Sequence, residues 1–223
     1  MREYAVVLLT AALVTFLATP VVRMVAIRLG MMAAPRERDV HVIPTPRGGG
    51  VAMYLGVAAA ILVATRLPAL QRTFDDSETL AVLAAGGLIC LLGVLDDRWG
   101  LDALTKLTGQ IASAGVMVLL GVQLAFLFLP VADIGTISLG PDVGVPLTIL
   151  VTVLTVNALN FIDGLDGLAA GVAAIAALAE FAYSYQIAVN NGLYRATPAT
   201  LIAIATAGIC IGFLPHNFNP AKQ

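Results

Sequence analysis

The sequence has little charge. Only 12% of its 223 residues are Asp, Glu, Lys or Arg, and 59% are hydrophobic. A soluble domain is about a quarter charged. With a mean hydropathy of +0.93, the chain has too little polar surface to coat itself in water, which excludes an ordinary soluble domain. It also lacks a run or stripe of basic residues. Without one, the net charge of -2 says nothing useful about nucleic acid, and no such partner is expected. Cysteine is scarce: Cys90 and Cys210 lie singly in separate apolar runs, as packing residues and not as a disulfide or metal pair. No small-residue cleavage site follows the first apolar run, which is too long for a signal-peptide core, so it reads as a retained helix. Internal repeats and low-complexity tracts are missing too.

What the chain does have is long apolar runs. About 20 apolar residues in a helix cross the hydrocarbon core. Tyr4–Val22, Gly48–Thr65, Thr79–Leu95, Leu107–Val122, Pro146–Ile162, Gly167–Asn190 and Ala196–Leu214 are the candidates. The expected fold is an all-α integral membrane protein, a polytopic bundle of about seven transmembrane helices in a single domain over 1–223. Between the fourth and fifth runs, Pro130, Gly135, Gly140, Pro141 and Gly144 flank Ala125–Leu129 and Thr136–Leu139. These breakers predict a short β-hairpin on the extracytoplasmic face.

Orientation follows from lysine and arginine. With the N-terminus outside, Arg23, Arg28, Arg36, Arg38, Arg47, Arg98, Lys106 and Lys222 fall inside, against Arg2, Arg66, Arg72 and Arg195 outside. The polar stretches 36–50, 96–106, 157–167 and 215–222 then share the cytoplasmic face. Four loops converging there suit a site for a cytosolic substrate.

Asp96 and Asp97 close the third run. Two adjacent carboxylates at a membrane boundary and a helix C-terminus are doubly unfavourable. A divalent cation, Arg98 or Lys106 must compensate them. In Asn157-Ala-Leu-Asn160-Phe-Ile-Asp163-Gly-Leu-Asp166-Gly, polar residues recur every third position, and Asn157 and Asn160 share a helix face. Amides suit a nucleobase or sugar edge, and carboxylates suit a hard metal or a ribose hydroxyl. A capped turn, with Asp166 capping the next helix, explains only one of these four side chains. The stretch His41-Val-Ile-Pro-Thr-Pro-Arg47-Gly-Gly-Gly leads a guanidinium and glycines into a helix N-terminus, compatible with phosphate; alone it reads equally as a positive-inside anchor. Pro215-His216-Asn217-Phe-Asn-Pro reads, alone, as an ordinary helix stop.

Together, in this order, these strings resemble the polyprenyl-phosphate N-acetylhexosamine-1-phosphate transferases of glycosyltransferase family 4. The resemblance extends over essentially the whole chain. His-x-x-Pro-x-Pro-Arg-x-Gly-Gly is similar to the branch that uses UDP-N-acetylglucosamine, in place of the UDP-N-acetylmuramoyl-pentapeptide branch. The stretches Pro35–Gly50 and Asp96–Gln110 resemble actinobacterial members acting on decaprenyl phosphate at the start of the arabinogalactan linker. The resemblance implies a multi-pass enzyme of the plasma (inner) membrane. It would transfer N-acetylglucosamine-1-phosphate from UDP-N-acetylglucosamine to undecaprenyl or decaprenyl phosphate, releasing UMP, with a homodimer as one arrangement.

It further implies catalytic and metal roles for Asp96, Asp97 and Asp163, with magnesium, or manganese as its substitute. Asp97 is the acid expected to deprotonate or position the lipid phosphate. His41, Arg47, Lys106, Asn157, Asn160, Asp166 and Asn217 would contact substrate. The sequence departs from the family pattern at Gln223, before a Phe-Met-Gly-Asp string whose aspartate is a principal magnesium ligand in the family. An N-terminal portion of a longer domain, inactive alone, is the expectation.

Two rivals have weaker support. Asp166-Gly-Leu-Ala-Ala echoes the CDP-alcohol phosphatidyltransferases, but Gly171 stands where their Arg belongs. A transporter keeps its polar site near the bilayer midplane. The one acid well inside a run is Glu180, roughly 21 Å along the helix from Asp166, expected near the outer end and snorkelling.

Overall fold

A computed structural model describes residues 1–33, 45–130, 135–190 and 197–218. Among these residues the chain forms seven α-helices: α1 (Arg2–Arg28), α2 (Gly49–Ala64), α3 (Glu78–Trp99), α4 (Ala103–Leu119), α5 (Pro141–Ile162), α6 (Leu168–Asn190) and α7 (Thr197–Asn217). Each apolar run of the sequence lies on one of them. Five, α1, α3, α5, α6 and α7, are long and apolar enough to cross a membrane unaided. α2 is followed by a 3-10 segment, Pro68–Phe74, bent from it by 112°, and the two together would make a sixth span. α4, with 17 residues, is at the lower limit of spanning length. The chain is a polytopic membrane helix bundle, with five or six spans by length.

Two small antiparallel pairs complete the fold. β3 (Phe126–Leu129) pairs with β4 (Gly135–Ser138) in the register Phe126↔Ser138 to Leu129↔Gly135, the hairpin that the breakers predict. The sequence offered no sign of the other pair, β1 (Met32–Ala33) with β2 (Thr45–Pro46). It continues into an Arg47 N–H bond to the Met31 carbonyl at 2.9 Å, and so fixes where the chain enters α2.

α7 is the most enclosed helix and packs against α1, α2 and α6, while α3, α4 and α5 follow one another alongside. Lipid supplies no hydrophobic drive between helices, so close backbone approach has to do the work. α1 and α7 run parallel, with Gly208 against Leu8 and Gly212 against Ala12; a Cβ at Gly212 would overlap the Ala12 backbone. Gly56 of α2 meets Ala11 and Thr15 of α1 and Ile209 of α7, so the three helices close on one another there. Tyr4 seals one end through edge-on contacts to Phe181 and Tyr185 at 5.5 and 5.8 Å.

Successive helices from α2 to α7 alternate in direction, and α1 runs with α7. The C-terminal ends of α1, α3, α5 and α7 therefore meet the N-terminal ends of α2, α4 and α6. The β3–β4 hairpin lies at the opposite end, where Leu124 N–H bonds to Thr148 Oγ1 at 2.8 Å. One expectation changes. α6 continues past Glu180 to Asn190, so this exposed carboxylate sits in the middle of its helix and not near the outer end.

Candidate functional site

α3 runs through both adjacent carboxylates before Gly100, at φ 65°, terminates it in the left-handed region. Asp96 and Asp97 thus occupy the last turn, where the helix dipole opposes negative charge. Two separate devices compensate them. Lys106, one turn into α4, reaches back to Asp96 with Nζ 2.8 Å from Oδ2. The other Asp96 oxygen accepts the Leu101 N–H at 3.0 Å. Arg47 faces Asp97 at 3.6 Å, and the Gly48 amide at the start of α2 also faces that carboxylate. Asp97 therefore sits at the electropositive end of a second helix. Three elements converge here, all of them partly exposed.

The α3–α4 turn is itself locally specified. Asp102 caps α4 by accepting the Thr105 N–H and hydroxyl, each at 2.9 Å. Those bonds hold its carboxyl below the usual range. The cap fixes the helix phase that aims Lys106 at Asp96.

Asn157 and Asn160 lie on the last turns of α5, both exposed, with Asp163 as its C-cap. Asn157 donates to Gln110 Oε1 of α4 at 2.7 Å and to the Val153 carbonyl at 2.8 Å. Gln110 is one turn beyond Lys106, so α4 joins the aspartate pair to the asparagine face. Asp163 is exposed, yet neighbouring apolar atoms desolvate its carboxyl and push its pKa up. The following turn carries Asp166 and ends at Gly167, whose φ of 72° is a left-handed value. Its N–H donates to Asn217 Oδ1 at the end of α7 at 3.0 Å.

Of the sequence-predicted residues, Arg47, Asp96, Asp97 and Lys106 form one charged group. Asn157, Asn160, Asp163, Asp166 and Asn217 occupy the α5–α6 turn and its supports at the same end of the bundle. His41 lies outside the described residues. Among the described residues no three His, Cys, Asp or Glu side chains gather into a group that could hold a metal ion. Asp96, Asp97 and Asp163 are carboxylates spread over two helix ends. Sequence reasoning missed Gln110. Its signal was a lone amide one helical turn after Lys106 inside an apolar run.

The chain matches glycosyl transferase family 4 over residues 79–222. It is 53% identical over 226 residues to the decaprenyl-phosphate N-acetylglucosaminephosphotransferase of Mycolicibacterium smegmatis, a match covering 100% of this chain and 55% of that protein. The protein of the same description from Mycobacterium tuberculosis H37Rv gives the same identity and coverage. A probable undecaprenyl-phosphate N-acetylglucosaminyl 1-phosphate transferase of Bacillus subtilis is 33% identical over 222 residues, with 100% of this chain and 58% of that protein covered. The chain spans a little over half the length of these relatives.

Proposed function

The chain belongs to glycosyl transferase family 4, and on that premise we propose that the whole protein transfers N-acetylglucosamine-1-phosphate from UDP-N-acetylglucosamine to a polyprenyl phosphate. Decaprenyl phosphate is the acceptor suggested by the names of the two mycobacterial relatives above. The observation that carries the reading is the charged group Arg47, Asp96, Asp97 and Lys106 at the helix ends. There a lipid phosphate would sit in the plane of its own headgroup. Confinement to that plane replaces a search in three dimensions with a positioned encounter.

In the proposed reaction an oxygen of the lipid phosphate attacks the sugar-linked phosphorus of the UDP-sugar. A new P–O bond forms, the bond to the uridine-bearing phosphate breaks, and UMP leaves. Asp97 takes any proton left on the lipid phosphate and orients it, with Arg47 holding the carboxylate in place. Asn157 and Asn160 present amides to the nucleotide, and Asn217 holds the backbone of the Asp163–Gly167 turn.

The four charged side chains sum to zero, so they exert no net attraction on an incoming diphosphate. A divalent cation is the natural supplement. The donors suit magnesium, which commonly uses one or two protein carboxylates and leaves its other positions to phosphate and water. Asp163 would supply one such carboxylate, leaving Asp97 to Arg47 and the lipid phosphate. Magnesium would supply charge neutralisation of the diphosphate in the transition state. We also propose that this end of the bundle is cytoplasmic and the N-terminus extracytoplasmic, in line with the basic residues.

The test is acceptor dependence. The whole protein in nanodiscs, given UDP-N-acetylglucosamine and magnesium, should release UMP only when a polyprenyl phosphate is added. UMP release without acceptor would indicate a hydrolase and defeat the reading.

A further inference from the structure

A hydrogen bond outside the charged group links the first helix to the candidate site. Pro20 lies inside α1 and has no N–H, so the carbonyl four residues earlier, that of Phe16, loses its helical partner. Phe16 belongs to the uncharged stretch before Arg23, where lipid offers no replacement. Spanning helices tolerate proline when a neighbouring helix satisfies the freed group. Here α7 does so: His216 Nε2 lies 3.0 Å from the Phe16 carbonyl oxygen. The two rings also pack, with centroids 4.8 Å apart. A carbonyl can only accept, so Nε2 carries the proton. The contact continues the parallel α1–α7 register, in which Gly208 meets Leu8 and Gly212 meets Ala12.

The next residue is Asn217, whose Oδ1 accepts the Gly167 N–H at 3.0 Å. We infer that His216 is a positioning residue: by donating to the carbonyl that Pro20 frees, it anchors the end of α7 on α1 and so holds Asn217 against the Asp163–Gly167 turn. Pro20 and His216 act as a pair, since the proline creates the acceptor that the histidine uses. A merely structural histidine would serve the bundle as a whole. A positioning one is read at the turn, fifty residues away in sequence from Asn217.

The activity arm of the test rests on the proposed reaction; the others do not. In the whole protein, His216→Phe keeps a ring on Phe16 and removes the donor. Losing one hydrogen bond in the chain should speed amide exchange in the peptide containing Gly167 roughly five- to tenfold, as Asn217→Ala should. His216→Gln, which retains a donor, should restore most of that protection. In a Pro20→Ala background the Phe16 carbonyl regains a helical partner, so the further effect of His216→Phe should shrink. Efficiency of UMP release should follow the exchange. Unchanged exchange in His216→Phe, or strictly additive effects of Pro20→Ala and His216→Phe, would overturn the inference.

Should the phenylalanine variant not fold, nitrogen-15 NMR of labelled histidine in the unsubstituted protein decides. The signal that His216→Gln removes assigns the His216 ring. A neutral ring protonated at Nε2 is expected; protonation at Nδ1 alone would overturn the inference. Absence of UMP release from the unsubstituted protein would defeat the proposed reaction and leave exchange and tautomer to judge this one.

Discussion

Replacing Lys106 by Met should destabilise the bundle by about 1–2 kcal/mol, and most of that loss should vanish when Asp96 is also made Asn. The pair is 2.8 Å apart, with the two side chains 37% and 27% exposed. At that separation the attraction is about 1.5 kcal/mol in bulk water and about 6 kcal/mol at an effective dielectric of about 20. Desolvation and side-chain ordering offset much of it. An exposed pair nets about 0.2–1 kcal/mol, and a charge-assisted hydrogen bond about 1.5–3 kcal/mol; partial exposure puts this pair between them. Lys106→Met alone leaves a carboxylate on the wrong end of a helix dipole with another carboxylate beside it. Asp96→Asn alone removes that unfavourable charge, and the double variant removes both halves. Unfolding of the four proteins in mixed micelles, followed by circular dichroism, gives the coupling energy. Additivity within about 0.3 kcal/mol, the usual result for independent sites, would refute the pairing.

Desolvation of the carboxyl by its surroundings raises the Asp163 pKa above its unfolded value, so the folded state binds this proton more tightly. The contribution favours folding at low pH and is lost as pH rises through the raised value. In chelator, Asp163→Asn should therefore be the more stable protein at neutral pH and lose that advantage below about pH 4, with added magnesium narrowing the gap only for the unsubstituted protein. A pH-independent difference would contradict the desolvation account. Gly212→Val should lower stability by about 1–3 kcal/mol by forcing α7 off Ala12, seen as a lower midpoint in thermal unfolding; an unchanged midpoint would remove that close approach from the packing account. Single cysteines at Asp102 and Gly164 should react only from the cytoplasmic side and those at Asp75 and Asp142 only from outside, and the reverse pattern would overturn the sidedness.

The helices were legible because spanning segments must be apolar throughout, and the breakers between Gln123 and Val145 were legible as a hairpin. Lys106 was legible only as one of three candidates to compensate the aspartate pair; that it takes Asp96, at 2.8 Å, came from the structure. The partner of Asp97 was not legible at all. Arg47 follows Asp97's helix in space but precedes it by fifty residues, and the β1–β2 pair that fixes it is too short to leave a pattern. Gln110 escaped because one amide in an apolar run carries no period. The end of α7 was undervalued for a related reason: Pro215-His216-Asn217 looks like a helix stop until the carbonyl freed by Pro20 is placed beside it. Long-range contacts between single polar residues are set by helix packing, and nothing local in the sequence announces them.

The central claim is that Asp97 handles the phosphate of a lipid acceptor, and the most direct measurement is matched product formation by the whole protein and its Asp97→Asn variant. UMP and prenyl diphosphate-linked N-acetylglucosamine should appear in equal amounts from the unsubstituted protein. Loss of a positioned proton acceptor commonly costs about 10²–10⁴-fold in rate, and the variant should lose at least that lower amount while still inserting and folding. Near-normal turnover by a folded Asp97→Asn protein would leave the aspartate pair as ion-pair partners of Arg47 and Lys106 with no part in the chemistry.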